Sequence, residues 1–285
     1  MKRILIGKVL AVALIALSGS PVRSRDAAAP PHGGYLGFDR NEYPGDETLK
    51  VLRRTFSFSG YWLNNPPGAS SNSWTGKRKV LQAVGFGFLV VFNGRTDARI
   101  RSAGDATKLG SSDGALAVSS ARAEGFSRAT TIFLDQEEGG RLLPEQRAYL
   151  FAWLDAVASA GFRVGVYCSG IAFKEGSGSS IITAVDIQQN AGGRKLAYWV
   201  SNDACPPSPG CAFPRKPPTL AESGISFAEV WQFAQWPRRG DFASGCSRTY
   251  DKDGNCYPPG VEGQRLNVDL DVAASADPSH GRTQY

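Results

Sequence analysis

Along the chain, apolar residues gather in eight short runs separated by longer amphipathic or glycine-rich stretches. The runs are 35–39, 58–63, 86–93, 129–137, 162–168, 196–202, 229–235 and 267–273. Most are continuously apolar rather than alternating, the pattern of strands covered by helices. Segment 144–160 predicts the clearest helix. Pro144 opens it, Gly161 ends it, and Leu150, Phe151, Leu154, Val157 and Ala158 form its stripe. Weaker helical patterns cover 45–56, 73–84 and 112–125. Strand alternating with helix to a count of eight predicts an α/β chain folded as a single (β/α)8 TIM-type barrel. The Pro- and Cys-rich stretches 205–218 and 240–259 read as long, disulfide-tied loops of that barrel.

The parity of the runs says more than their number, because residues two apart on a strand share a face. In the fourth run Phe133, Asp135 and Glu137 point one way, while Ile132, Leu134 and Gln136 point the other. In the eighth, Asn267, Asp269 and Asp271 oppose Val268, Leu270 and Val272. In the first, Asp39 shares its face with Tyr35 and Gly37. Apolar faces suit the outer helices, so the acids are expected to face the barrel axis and converge at the C-terminal mouth, where barrel enzymes keep their sites. Crowded, part-buried carboxylates repel one another and raise at least one pKa, as a general acid requires.

Composition narrows the chemistry. The 285 residues include only two histidines, His32 and His280, both near the chain ends. That argues against a histidine-activated nucleophile or a histidine-rich metal centre. No metal or cofactor is expected, and no P-loop or zinc spacing occurs. At the N-terminus, Lys2 and Arg3 precede an apolar run broken only by Gly7 and Lys8, then small residues. This is the layout of a secretory signal peptide over 1–29, and it is shorter than the roughly 20 apolar residues of a membrane span. The barrel domain is then 30–285. Cleavage near Ala29 removes Lys2, Arg3, Lys8, Arg23, Arg25 and Asp26, taking the formal charge from +6 to +2 (27 basic against 25 acidic residues). The basicity therefore belongs to the targeting segment, and nucleic acid is not an expected partner. Stable membrane insertion after cleavage is not expected either.

Cys205 and Cys211 lie in one long loop, Cys246 and Cys256 in the other. Export makes two disulfides the expectation, with the local pairs 205–211 and 246–256 the natural pairing by spacing. Cys168, on an apolar run, reads as a buried thiol.

Several motifs fall in the order of a known family. They are Gly37-Phe38-Asp39, Asp135-Gln136-Glu137, Val166-Tyr167-Cys168-Ser169-Gly170, Tyr198-Trp199-Val200, Val230-Trp231-Gln232-Phe233 and Val268-Asp269-Leu270-Asp271. Together they resemble the exported bacterial glycoside-hydrolase-like domain of unknown function related to the glycoside hydrolase family 25 lysozymes. The resemblance covers about 34–273. It implies a barrel that cleaves the β-1,4 bond between muramic acid and glucosamine in peptidoglycan through a DxE pair. On that reading Glu137 is the general acid. Asp135 orients and stabilises an intermediate in which the substrate's acetamido group attacks, and Asp39 and Asp269 complete the acidic floor. Tyr167, Trp199 and Tyr61 (or Trp62) would meet sugar rings, with Gln232 and Asp271 as further substrate contacts. Trp62 and Trp231 read first as packing.

The chain departs from the lysozymes in three places, one of them the second strand, which carries Tyr61-Trp62 and no acid. Asp39 is followed by Arg40-Asn41-Glu42 in place of a Ser and a Tyr-Gln-Gly run, and Asp271 stands where an Asn is usual. Glu138 is a rival acid that faces away only if the strand continues straight.

Some patterns are set aside. Asp251, Asp253, Asn255 and Glu262 imitate a calcium loop, but Cys256 occupies its glycine position, so a disulfide-tied turn is expected. Gly85-Phe86-Gly87 precedes a strand and lacks a third glycine. The basic runs 77–79 and 237–239 read as solvated surface. The expectation is an exported, monomeric barrel, periplasmic or extracellular, acting on polysaccharide. A catalytically silent glycan-binding barrel and a disulfide-stabilised interaction protein with a plugged cleft are the alternatives.

Overall fold

The computed structural model describes residues 33–176, 178–213 and 216–282. The signal-peptide expectation for 1–29 lies outside the described residues. Eight strands close into one barrel: β1 (Tyr35–Asp39), β2 (Phe58–Trp62), β3 (Gly87–Asn93), β4 (Thr131–Asp135), β5 (Arg163–Ser169), β8 (Ala197–Ser201), β9 (Val230–Ala234) and β10 (Asp269–Ala273). Each lies within or next to a run expected from the sequence. The other two strands, β6 (Ala172–Glu175) and β7 (Ser179–Ile182), form a small hairpin of their own.

Helices α1 (Asp46–Leu52), α2 (Arg78–Val84), α3 (Asp97–Ala103), α4 (Ala106–Ala123), α5 (Pro144–Ser159) and α6 (Thr183–Asn190) cover the strands up to β8. α5 has the expected bounds: Pro144 starts it, and Gln146 folds back to accept from the Leu143 amide at 2.8 Å. α4 begins six residues before its expected start, at a turn capped by Asp105, whose carboxylate accepts from the Lys108 amide. Gly110 and Gly114 look like helix breakers in sequence. In the fold they sit where α4 crosses α5, and an added Cβ at Gly110 would lie 2.2 Å from the Tyr149 carbonyl oxygen. Close helix contact offsets their poor helix propensity.

The last strand departs from the expected parallel ring. β10 runs antiparallel to both β9 and β1, and Asp39 pairs in register with Asp269. β10 therefore starts at the mouth and descends. The tail beyond it reaches the opposite end, where the Phe88 amide donates to Asp277 and the Thr131 amide to the Ser279 carbonyl. Between β8, β9 and β10 the described connections contain only short 3-10 turns, at Leu220–Ser223, Asp241–Cys246 and Glu262–Gln264. The disulfides stand in for the missing helical cover there.

The local disulfide pairing is corrected. Cys205 bonds Cys246 and Cys211 bonds Cys256, joining the two loops to each other, with Cα separations of 5.5 and 5.2 Å. The loops press together at glycines: a Cβ on Gly245 would strike the Cys205 carbonyl oxygen, and one on Gly210 would strike Thr249 and Cys246. Each cysteine therefore faces the opposite loop. Such bridges close segments of 41 and 45 residues, constraining the unfolded chain more than local ones would. Cys168 is buried and free, as expected.

Candidate active site

The inner face of the barrel follows the strand parity. Phe133 and Asp135 turn inward on β4, and Tyr167 on β5 and Trp199 on β8 meet at 4.6 Å between ring centroids. Ile132 and Leu134 turn outward into the packed shell. At the mouth a pocket of about 60 Å³ is lined by Asp39, Asp135, Glu137, Asp269, Asn41, Trp62, Val91, Tyr167, Trp199, Gln232 and Gln235. Gly60 makes room for the acid on β1: a Cβ there would come 2.7 Å from the Asp39 Cβ.

A polar network organises one side of the pocket. The Tyr167 hydroxyl donates to Gln232 Oε1 at 2.7 Å, and Gln232 Nε2 donates to Asp39 at 2.9 Å and Asp269 at 3.3 Å. The Trp236 amide also donates to Asp269, and Gln235 Nε2 donates to the Tyr167 hydroxyl. Gln235, Asn41 and Val91 were not singled out in the sequence. Gln235 ends the seventh run three residues after Gln232, and only the bend past the strand brings its amide to Tyr167.

Burial dominates the electrostatics. It raises Asp39 to about 6, opposed by hydrogen bonds from Gln232 and Asp271 and aided by the charge of Glu137. Asp135 is pushed well above the carboxylate range by burial first, then by Glu137 and Asp39. Asp269 and Asp271 are pushed up in the same way, by burial and then by Asp39. Asp271 lies against Asp39 and accepts from Trp199 Nε1 at 2.9 Å. Burial also raises the Tyr167 hydroxyl. Glu137 stands exposed at the lip, yet the protein around its carboxyl, and then the neighbouring Glu138, raise its pKa too. Asp135 is 6% exposed and neither of its oxygens has a hydrogen-bond partner among the described residues. A buried carboxyl in that condition is costly unless something else meets it.

The structure brings Asp39, Asp135, Glu137, Asp269, Tyr167, Trp199 and Gln232 together, and it moves two expected substrate contacts away. Tyr61 faces outward, packed on Trp74, Phe88 and Phe126, with its hydroxyl donating to Glu124 at 2.6 Å. Trp62, next along the strand, lines the pocket instead. β2 is apolar on both faces, so its parity carried no polarity signal to choose between them. Asp271 is fully buried one layer below Asp269, so it supports Asp39 and Trp199 without reaching the pocket. The rival Glu138 is tied elsewhere, accepting from the Asp97 amide at 2.9 Å and from Gln146 at 2.6 Å. Those bonds, Thr183 bonded to both backbone groups of Gly140, and Phe173 lying over Gly139 hold the loop that follows Glu137.

The calcium-like loop satisfies itself. Asp253 accepts from Tyr257 and from the Asn255 amide, and Asp251 and Asn255 pair through their backbones. Among the described residues no group of three His, Cys, Asp or Glu is arranged to hold a metal ion.

A closed α/β barrel with a carboxylate-lined, aromatic-walled mouth is the architecture of a glycoside-hydrolase-like protein. The chain belongs to the Rv2525c-like, glycoside hydrolase-like domain family, whose profile matches residues 60–209. The resemblance read from the motifs is thereby borne out. The matched segment holds Asp135, Glu137, Tyr167 and Trp199, while Asp39, Gln232 and Asp269 lie outside it. No curated protein is significantly similar to the chain. Among solved structures, an uncharacterized B. stearothermophilus protein is similar at 19% identity and a TM-score of 0.51, over 84% of this chain and 96% of that one. The Tat-secreted protein Rv2525c of Mycobacterium tuberculosis is similar at 12% identity and a TM-score of 0.50, over 87% and 98%. These likenesses show the shared fold. The two disulfides fit an exported chain, and no helix among the described residues is long and apolar enough to cross a membrane.

Proposed function

We propose that this protein is an exported glycosidase, periplasmic or extracellular and active as a monomer, that hydrolyses β-1,4 bonds of peptidoglycan or a related cell-envelope glycan. The supporting observation is Asp135, buried at the mouth with both oxygens unpartnered beside the exposed Glu137. Glu137, its proton retained by its surroundings, donates to the leaving glycosidic oxygen. Asp135 and Asp39, ionised once their protons pass to solvent as the sugar enters, stabilise the oxocarbenium-like charge that develops at the anomeric carbon. Water then adds at that carbon and returns a proton to Glu137. Trp62, Tyr167 and Trp199 offer aromatic walls to the ring, and Asp269 holds Gln232 in place. Activity falls at high pH as Glu137 loses its proton, and at low pH as Asp39, with a pKa of about 6, gains one.

The test is the release of reducing ends from purified peptidoglycan by wild type and Glu137→Gln. Loss confined to the variant supports the assignment, and equal cleavage by both sinks it. A mouth of about 60 Å³ admits part of a sugar and not a whole ring, which fits a second reading in which the site holds glycan without enclosing the scissile bond. On that reading the barrel binds glycan without hydrolysing it, and neither protein releases reducing ends while both retain affinity.

A further inference from the structure

We infer that the pocket at the barrel mouth binds the free ammonium group of an amino sugar, so that the preferred glycan carries de-N-acetylated hexosamine. This rests on the glycan reading above and names the substrate class within it. Three other acids in the fold are deeply buried, and each has an arginine: Asp113 with Arg95, Asp186 with Arg141 and Arg147, Asp203 with Arg239. The pocket breaks that rule. Asp39, Asp135, Asp269 and Glu137 line it, and no Lys, Arg or His does among the described residues. Asp135 is more than nine-tenths buried, aimed into this space, and lacks a partner for either oxygen among the described residues. A cation carried by the ligand would supply the counter-charge that the fold withholds here.

Size and lining identify the cation. About 60 Å³ accommodates a few water-sized groups, enough for an ammonium and the carbon that bears it but not for a whole ring. Trp62, Tyr167 and Trp199 supply aromatic walls suited to an organic cation. The carboxylates are not arranged to ligate a metal ion. An N-acetyl group is neutral and bulkier, and leaves Asp135 facing an amide instead of a charge. A free amine also lacks the acetamido carbonyl, so on such a substrate the carboxylates themselves must stabilise the developing positive charge.

The groups facing Asp135 are Asp39, Glu137 and Tyr167. Those facing Asp39 are Asp271, Asp269 and Glu137, with Arg239 and Asp203 behind Asp269. All the carboxyls in the pocket hold protons more tightly than usual, so an entering ammonium displaces protons.

The experiment titrates Glu137→Gln, which blocks turnover, with a β-1,4-linked glucosamine tetrasaccharide and with its fully N-acetylated counterpart. Calorimetry in buffers of different ionisation enthalpy counts the protons released. At pH 7 the free amine should bind at least about tenfold tighter, the effect of one charge-assisted contact, with net proton release. At pH 5, below the Asp39 value of about 6, the advantage should shrink. Adding Asp135→Asn should remove it. Equal or tighter binding of the acetylated sugar overturns the inference and leaves the glycosidase reading standing, with the pocket complementary to the transition state alone. An amine preference unchanged by Asp135→Asn assigns it to surface charge and likewise overturns the site. Failure of folded protein to bind either sugar overturns both readings.

Discussion

Two sets of buried acids in this molecule are treated in opposite ways. On the outer shell, Asp113 accepts two bonds from Arg95 and one from the Tyr149 hydroxyl, and Asp203, fully buried beside the disulfide-tied loops, is held by Arg239. At the mouth, Asp39 and Asp135, with Asp271 beneath them, are just as buried, but they face one another and neutral side chains. The first arrangement is how a fold tolerates a buried charge. The second carries an uncompensated desolvation cost, which argues that the mouth is shaped for a ligand or transition state.

The sharpest way to break that contrast is Glu137→Gln. If the mouth is catalytic, the rate of reducing-end release should fall about 10²- to 10⁴-fold with an unchanged melting curve. On the structural side, Arg239→Ala strands Asp203 in the protein interior. It should cost about 3–5 kcal/mol in urea unfolding, the penalty of breaking a buried pair.

Asp135→Asn should do the reverse and stabilise the protein by about 1–3 kcal/mol at pH 8. The sign follows from the direction of its shift. A folded pKa above the unfolded value means the acid's stability contribution is full below about pH 4 and is lost as pH rises through the folded value. The gain from the variant should therefore vanish near pH 4. A destabilising effect at pH 8 would show that Asp135 is paired after all, and would erase the contrast.

The smallest effect is expected for Tyr61→Phe, which removes the bond to Glu124. It should cost about 1 kcal/mol of stability and leave the Michaelis constant for glycan unchanged. Trp62→Phe should raise that constant, so the pair of variants separates shell from site.

Much of this contrast was legible before folding. Alternation on the first and fourth runs put Asp39 and Asp135 on the inner face, because apolar neighbours one residue away must pack outward. The same rule fails on β2, where Phe58, Tyr61 and Trp62 make both faces apolar and nothing in the alternation separates Tyr61 from Trp62. It also could not weigh Glu138, whose direction depends on where β4 stops and on bonds to α3 and α5.

By itself, the order of residues determined the strand positions, the α/β class, the inward acids and the family motifs, since these depend on local periodicity and side-chain chemistry. Only the tertiary structure decided the direction of β10, because an alternating pattern reads the same from either end. Antiparallel pairing puts Asp269 beside Asp39 at the mouth and sends Asp271 beneath. Tertiary structure alone also decided which cysteines meet, since spacing measures chain length while bonding requires the two loops to pack face to face. The arginine partners of the outer acids, 18 to 45 residues away in the chain, became visible for the same reason: an ion pair is a property of distance in space.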